Sequence, residues 1–367
     1  MAFTLSVRNY RGLRHVDWSP SGVCALVGPN GSGKTTLIDV LQLLQDAIAY
    51  GFMKACELHG GAYGLRHFAA SPHEPVAFNL RVGSTTWSFQ PELYLGLGGA
   101  SVPVWEKLMD GDRSVFEQGP QGRALGPDRL LLSSHGSPWE PPSAQQISAL
   151  ISTYRHYRSY ALANLRREGS LLGGDTGLLN DGRNLFTVLM NWRNRRDYRG
   201  HLDFVTHHLR ACFPELFSEF SSPIAANIVS CEIHTPQGHT LTPALLPDGF
   251  LVALLHLCAV ASIGSGGVAA IDEPENALHP YTTHRLMEAF RDWSDARDVT
   301  VLLATHSPVI LDTFKDLPEK VFVMEPGHEE LPVPLDRLKK RSWLAHFSLG
   351  DLYEHLKYGA PAGVEET

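Results

Sequence analysis

A glycine-rich run ending in Lys-Thr constrains the fold of this chain more than any other feature. The run, Gly28-Pro29-Asn30-Gly31-Ser32-Gly33-Lys34-Thr35, fits the pattern G-x-x-x-x-G-K-[ST]. The apolar residues 23–27 before it predict a buried strand, and residues 36–44 after it predict a helix. Loops of this kind turn their backbone N–H groups toward phosphate at the start of a helix. The sequence therefore predicts an α/β fold with a phosphate-binding loop.

Individual side chains of this loop have predictable tasks. The Lys34 ammonium supplies positive charge to phosphate oxygens, and the Thr35 hydroxyl is a ligand for Mg²⁺. The predicted nucleotide contacts are Asn30, Gly31, Ser32, Gly33, Lys34, Thr35 and Thr36.

Two further strands are predicted to end in polar residues. Residues 266–271 form a short apolar run that ends in Asp272-Glu273, and two carboxylates at the tip of a buried strand are costly without a task. Asp272 is predicted to hold Mg²⁺, and Glu273 to orient or deprotonate an attacking water. Residues 298–305 predict another buried strand, which ends at His306. We expect His306 to reach the terminal phosphate.

Taken in order, these motifs resemble the ABC-type ATPases, in particular the RecF, SMC and OLD-like branch and its stand-alone AAA_21-type members. Residues 28–35 resemble the Walker A motif, 271–280 the Walker B motif and D-loop, and 304–308 the switch-histidine loop. The segment 246–251 stands in the place of the family's signature. The resemblance implies an ATPase that uses ATP and Mg²⁺ and forms a homodimer around two nucleotides. It also implies that Asp248 and Gly249 of the signature bind the partner's nucleotide.

The sequence departs from the family pattern at two places. Pro247 replaces the signature Ser, so the γ-phosphate of the opposite subunit loses one hydroxyl contact, and the N–H groups of Gly249 and Phe250 remain as candidates to face it. Asp248 is then predicted to be the N-cap of a helix over 249–263. No glutamine stands where the Q-loop is expected, and His67, Ser71 and His73 remain as candidates.

The pattern of elements predicts one P-loop NTPase of the ABC-ATPase head type, with a β-meander subdomain and an inserted helical lobe. The meander is predicted over 75–82, 85–97 and 102–116, and a closing helix over 343–356. The predicted organisation is a first half of the head at 1–142, a helical lobe at 143–222 and a second half at 223–367.

Composition narrows the classes of function. The 367 residues carry a net charge of −8, which argues against a protein that coats nucleic acid along its whole surface. The five Cys show no paired metal spacing, and neither a signal peptide nor a membrane span is expected, which suggests a cytoplasmic protein. Residues 154–200 nevertheless carry nine Arg against four Asp or Glu. This segment suits either nucleic-acid contact or a solvated helix face, and its clustered arginines are Arg193, Arg195, Arg196 and Arg199.

The favoured interpretation is an ATP-hydrolysing switch that dimerises around nucleotide and controls a separate effector, a nuclease or a toxin. Resemblance to stand-alone bacterial heads points to anti-phage defence or DNA repair. Alternatives are a transporter's nucleotide-binding subunit, or a slow or inactive ATPase that uses ATP as assembly glue. A nuclease with a built-in ATPase has no supporting metal-nuclease motif.

Overall fold

The computed structural model describes residues 2–71, 73–91, 93, 104–119, 130–134, 142–158, 162–166, 169–325 and 331–355. The strands are β1 (Phe3–Tyr10), β2 (Leu13–Trp18), β3 (Val23–Val27), β4 (Ala77–Val82), β5 (Thr85–Pro91), β6 (Val104–Asp110), β7 (Arg113–Gln118), β8 (Arg155–Tyr157), β9 (Ser170–Leu171), β10 (Glu219–Ser221), β11 (Ile224–Ala225), β12 (Ile228–Val229), β13 (Glu232–His234), β14 (Thr240–Leu241), β15 (Val268–Asp272), β16 (Thr300–Ala304), β17 (Val321–Val323) and β18 (Val333–Pro334). The α-helices are α1 (Lys34–Tyr50), α2 (Phe52–Leu58), α3 (Gly61–Leu65), α4 (Leu131–Ser134), α5 (Pro142–Thr153), α6 (Leu162–Leu165), α7 (Leu185–Asn194), α8 (Arg199–Cys212), α9 (Asp248–Ala261), α10 (Pro280–Arg297), α11 (Pro308–Asp312), α12 (Leu335–Leu338), α13 (Arg341–Leu344) and α14 (Leu349–His355).

A mostly parallel sheet carries the predicted motifs, in the order β18-β17-β3-β16-β15-β8. The strands β17, β3, β16, β15 and β8 run parallel, and β18 is antiparallel to β17. Alternate residues of β3 enter two different apolar clusters, with Ala25 in one and Leu26 in the other. Both faces of the strand are therefore buried, as its continuous apolar sequence predicts.

The register of this sheet aligns the ends of the three central strands. Asp272 pairs with Ala304, and Ala304 pairs with Leu26 of β3. Because parallel strands end at the same edge, the loops that follow β3, β15 and β16 meet there.

The meander is part of a second, antiparallel sheet with the order β2-β1-β4-β5-β6-β7. The predicted strand over 102–116 is wrong as a single element, because it folds as the hairpin β6–β7. Gly111, at φ 56, takes the turn between them, and the Asp-Gly pair at 110–111 is a known hairpin signal. Strand β5 ends at Pro91, and residues 92 and 94–97 of the predicted strand 85–97 lie outside the described residues.

The segment 143–222 contains α5, α7 and α8, as its helical periodicity predicts. It also contains β8, which joins the parallel sheet beside β15, and β9, which pairs with β12. The division into 1–142, 143–222 and 223–367 stays a prediction. In the described part of the chain, no helix is both long and apolar enough to cross a bilayer.

The predicted closing helix over 343–356 is wrong as one continuous element. Two short helices, α13 and α14, occupy the segment. The Ser348 hydroxyl accepts a hydrogen bond from the Asp351 N–H at 3.0 Å, which starts a new helix after the break.

Candidate functional site

The glycines of the phosphate-binding loop are required by its backbone. Gly28, Gly31 and Gly33 have φ angles of 150, 80 and 97°, which side chains other than hydrogen disfavour. A Cβ on Gly28 would lie 2.4 Å from the Met324 carbonyl oxygen, and one on Gly33 would lie 2.8 Å from Leu13. The loop therefore packs against Met324, directly after β17, and against Leu13 of β2, and α1 begins directly after the loop at Lys34.

Lys34 is folded back onto its own loop. Its Nζ donates to the carbonyl oxygens of Gly28 at 2.8 Å and Pro29 at 3.1 Å. Burial lowers the pKa of the ammonium, while the carboxylates of Asp272 and Glu273 act in the opposite direction. The buried hydroxyl of Ser32 has no hydrogen-bond partner among the described residues. A buried cation beside an unpaired hydroxyl is an arrangement that a phosphate group fits.

The two predicted Mg²⁺ ligands lie side by side. The Thr35 hydroxyl is 3.1 and 3.3 Å from the two carboxylate oxygens of Asp272. A hydroxyl and a carboxylate at this spacing are hard oxygen ligands of the kind that Mg²⁺ prefers, so the residues fit the ion.

The imidazole of His156, which belongs to no recognised motif, lies next to Asp272. The His156 side chain is only 5% exposed, and its Nε2 lies 3.9 Å from the Asp272 carboxylate. Its Nδ1 contacts Asp39 at 3.0 Å, and Asp39 also accepts from Arg158 at 2.7 and 2.8 Å. Hydrogen bonds from His156, and the Arg158 charge, lower the pKa of Asp39 despite its burial. The link joins β8 to α1 across 117 positions, so no local pattern could reveal it.

Glu273 is held at a strained position at the end of β15. Its φ is 50°, uncommon for a residue with a side chain, and its N–H donates to the Ala304 carbonyl at 2.8 Å. The Asn276 amide donates to Glu273 Oε2 at 2.6 Å, which orients the carboxylate.

Most of the predicted site residues line one cavity of about 200 Å³. It is lined by Asn30, Gly31, Gly33, Lys34, Thr35, Thr36, Asp272, Glu273, Ala304 and His306. Ser32, Asp248 and Gly249 do not line it. Its lining consists of the phosphate-binding loop and the residues at the ends of β15 and β16, so the cavity covers the part of the site that would contact phosphate.

Hydrogen bonds to Glu275 join the switch-histidine loop to the D-loop, and no role was predicted for this residue. Glu275 Oε1 accepts from the Thr305 hydroxyl at 2.8 Å and from the His306 N–H at 3.1 Å. Its other oxygen is buried without a partner among the described residues, and burial raises the pKa of this carboxyl.

His306 itself is contacted by Tyr353 of α14, with 3.0 Å between Nδ1 and the phenol oxygen. Burial and the nearby Lys34 charge lower the pKa of His306. The imidazole is therefore favoured in its neutral form near pH 7.

The prediction that Asp248 is the N-cap of the signature helix is wrong. The helix α9 starts at Asp248, and Pro247 occupies the capping position without a side-chain hydrogen bond. Proline fits there because its φ of −59° is fixed by its ring. The Asp248 carboxylate instead pairs with Arg166. The Phe250 N–H, which could have faced phosphate, donates to the Pro247 carbonyl at 3.1 Å.

Gly249 brings the signature helix into contact with the D-loop. A Cβ at this position would lie 2.8 Å from the Ala277 carbonyl oxygen. Two of the family motifs thus touch within one chain, and glycine is the residue that permits the distance.

The three Q-loop candidates lie away from the cavity. His67 donates its N–H to the Asn9 carbonyl at 2.8 Å, and Ser71 donates its N–H to Glu74 at 2.8 Å, both beside β1 and the antiparallel sheet. His73 does not line the cavity either.

The arginine cluster is only partly available for ligands. Arg193 donates to the Phe220 carbonyl, and Arg195 lies over the Tyr198 ring. All four arginines are exposed, with Arg196 in a short 3-10 turn before α8 and Arg199 as the first residue of that helix.

Sequence comparison identifies one protein family. Residues 23–312 match the family model AAA_21, described as "AAA domain, putative AbiEii toxin, Type IV TA system". A search of curated proteins finds no match.

Solved structures similar to this chain include the following three. The first is an SMC head bound to the C-winged helix domain of ScpA, at 13% identity and a TM-score of 0.49, covering 87% of this chain and 93% of the other. The SMC head domain from Thermotoga maritima has 12% identity and a TM-score of 0.41, with coverages of 88% and 94%. The ATP-binding subunit of an ABC transporter has 16% identity and a TM-score of 0.40, with coverages of 96% and 99%.

The family assignment rests on the sequence match, since all three TM-scores lie below 0.5. The match spans the phosphate-binding loop, the Asp272-Glu273 pair and His306. The predicted resemblance is thereby confirmed, and the chain belongs to the AAA_21 family of P-loop ATPases.

Proposed function

We propose that this chain binds ATP with Mg²⁺ and hydrolyses it to ADP and phosphate. The observation that carries the proposal is the single cavity lined by Lys34, Thr35, Asp272, Glu273 and His306. These residues supply a cation, two metal ligands, a carboxylate base and an imidazole donor. Phosphoryl transfer depends mainly on such positioning and charge.

The proton of the attacking water goes to Glu273 in this proposal. The Asn276 amide occupies Oε2 at 2.6 Å, so Oε1 is the oxygen that accepts the proton. Lys34 leaves the carbonyls of Gly28 and Pro29 for the phosphates, an exchange of neutral acceptors for charged ones that strengthens its hydrogen bonds. Bound Mg²⁺ would neutralise phosphate charge beside Thr35 and Asp272.

A second copy of the chain would complete the nucleotide site. The cavity is lined by residues suited to phosphate and Mg²⁺, and Asp248 and Gly249 lie outside it. We infer that these signature residues act on the partner's nucleotide in an ATP-bound homodimer. Without a hydroxyl at Pro247, one contact worth roughly 1–3 kcal/mol is lost, which slows the reaction about ten- to hundredfold. ATP held this long can serve as an assembly signal.

The biological role that we propose is a switch, with dimer formation controlling a separate effector, a nuclease or toxin, in anti-phage defence or DNA repair. The family description names a putative toxin of a type IV toxin–antitoxin system, which supports a role in a system of this kind and not the identity of a separate effector. The alternative is a slow or inactive ATPase that uses bound ATP to hold an assembly together, and Pro247 is the one feature that favours it.

Light scattering over time tests the switch. With ATP and Mg²⁺, the wild type should double in mass and return to monomer as ATP is consumed. Glu273→Gln should stay dimeric because its amide accepts no proton, and Lys34→Ala should stay monomeric because phosphate is not held. A monomer at every concentration of Glu273→Gln would contradict the dimer and leave ATP hydrolysis to be judged by turnover.

A further inference from the structure

The C-terminal helix α14 is fixed to the segment that follows His306. Asp312 Oδ1, at the end of α11, accepts from the Ser348 hydroxyl at 2.6 Å and from the Gly350 N–H at 2.8 Å. A Cβ on Gly350 would lie 2.7 Å from the Pro308 carbonyl oxygen. Helix α14 thus packs against the first residue of α11, two positions after His306.

This packing brings the Tyr353 phenol between the two loops of the nucleotide cavity. Its oxygen lies 3.0 Å from His306 Nδ1 and 3.5 Å from the Gly28 carbonyl oxygen. A separation of 3.5 Å exceeds the usual O–H···O range of 2.5–3.0 Å. The phenol O–H therefore makes the stronger hydrogen bond to His306 Nδ1 and not to the Gly28 carbonyl.

We propose that Tyr353 is a positioning residue, whose O–H donates to His306 Nδ1 and so presents Nε2–H to the terminal phosphate of ATP. A neutral imidazole has one N–H, and a phosphate oxygen only accepts hydrogen bonds. With the hydrogen on Nδ1, the lone pair of Nε2 would face phosphate and repel it. The proposal rests on the ATPase function proposed above.

The charges around His306 agree with a neutral ring. Lys34, Asp272 and Glu273 act on it from the cavity, and Glu275 accepts its backbone N–H. Burial and the Lys34 charge disfavour the imidazolium, so a donor to Nδ1 decides which nitrogen carries the hydrogen.

Nitrogen NMR of the imidazole in nucleotide-free protein tests the contact without any turnover. In the wild type, His306 Nδ1 should resonate as an unprotonated nitrogen that accepts a hydrogen bond. In Tyr353→Phe, which keeps the ring but removes the donor, Nδ1 should lose this signal and shift toward that of a protonated nitrogen, because nothing then fixes the hydrogen on Nε2. A wild-type Nδ1 that carries the hydrogen would overturn the assignment.

Steady-state kinetics test the positioning role. Tyr353→Phe should lower kcat about tenfold, equivalent to ~1.4 kcal/mol, with KM for ATP close to wild type because Lys34 and the loop still hold the phosphates. The control is Tyr281→Phe, whose phenol contacts the Ala211 carbonyl at 3.3 Å, on α8. Its kcat should match wild type.

The two proposals fail in different ways. A wild type without ATP turnover would overturn the ATPase function, while the nucleotide-free NMR result would still report on the contact between Tyr353 and His306. An active wild type whose kcat survives Tyr353→Phe, in a variant with unchanged thermal unfolding, would overturn the positioning role alone.

Discussion

At the scale of single residues, the site holds a buried acid whose ionisation opposes folding. Glu275 joins the D-loop to the switch-histidine loop through one oxygen, and burial raises its pKa. The folded state therefore binds a proton more readily than the unfolded chain. This contribution to stability is present below the unfolded pKa and is lost as pH rises through the folded pKa.

Glu275→Gln should remove this dependence, because an amide does not titrate. The Tm of the wild type minus the Tm of the variant should fall as pH is raised from about 4, near the unfolded pKa of Glu, to 8. Thermal unfolding at a series of pH values measures it.

Glu74→Gln provides a comparison of opposite sign. A hydrogen bond from Arg14 lowers the pKa of Glu74, so the corresponding difference in Tm should rise with pH. Parallel trends in the two variants would contradict the assignment for Glu275.

The sequence predicts those parts of the site whose chemistry requires particular residues close together in the chain. The loop 28–35 and the Asp272-Glu273 pair are each recognisable within a few positions, because phosphate and Mg²⁺ binding requires fixed residue types at fixed spacing. His156 and Tyr353 were missed because they reach the site from β8 and α14, through contacts that only the tertiary fold creates.

At the scale of elements, the contact between α9 and the D-loop depends on the absence of a side chain at Gly249. Gly249→Ala places a Cβ 2.8 Å from a backbone oxygen. Overpacking costs about 1–3 kcal/mol, whereas the gain in helix propensity returns at most about 1 kcal/mol. We expect the cost of the clash to exceed the gain in helix propensity, and each kcal/mol of net destabilisation should lower the Tm by about 2–4 °C.

The matched control lies just beyond the other end of the same helix. A Cβ on Gly264 meets nothing within 4 Å, so Gly264→Ala should leave the Tm close to wild type. Equal Tm values for the two alanine variants would contradict the predicted clash and show that the D-loop moves to make room for the extra methyl group.

Element boundaries were predictable only where the sequence marks them. Strands β3, β15 and β16 follow from short apolar runs before polar tips. The hairpin β6–β7 was misread as one strand because its Asp-Gly turn interrupts an otherwise continuous strand pattern. The start of α9 was misplaced by one residue, because Asp248 is used in an ion pair with Arg166 and not as a cap.

At the scale of the whole molecule, charge is distributed unevenly, and we propose that the arginine cluster contacts nucleic acid. The chain is at −8 overall, while residues 154–200 have a surplus of arginine. All four arginines are exposed, but Arg193 and Arg195 also contact other residues of the chain, so we assign phosphate contact to Arg196 and Arg199.

Changing Arg196 and Arg199 to Glu should weaken binding of single-stranded DNA and flatten its salt dependence. Loss of two phosphate contacts reduces the slope of log K against log salt by about 1.4. The control changes Arg81 and Arg113, exposed residues of β4 and β7, to Glu and so alters the net charge equally. Equal weakening by both pairs would mean that net charge alone governs binding.

The central claim is that the cavity at the edge of the parallel sheet hydrolyses ATP with Glu273 as the base. Phosphate release with saturating ATP and Mg²⁺ tests it most directly, in wild type and in Glu273→Gln, with nucleotide binding confirmed for each by calorimetry. We predict slow but measurable release by wild type, and release slower by about a hundredfold or more in Glu273→Gln at similar affinity. Wild-type turnover in a Glu273→Gln protein that binds ATP normally would contradict the claim.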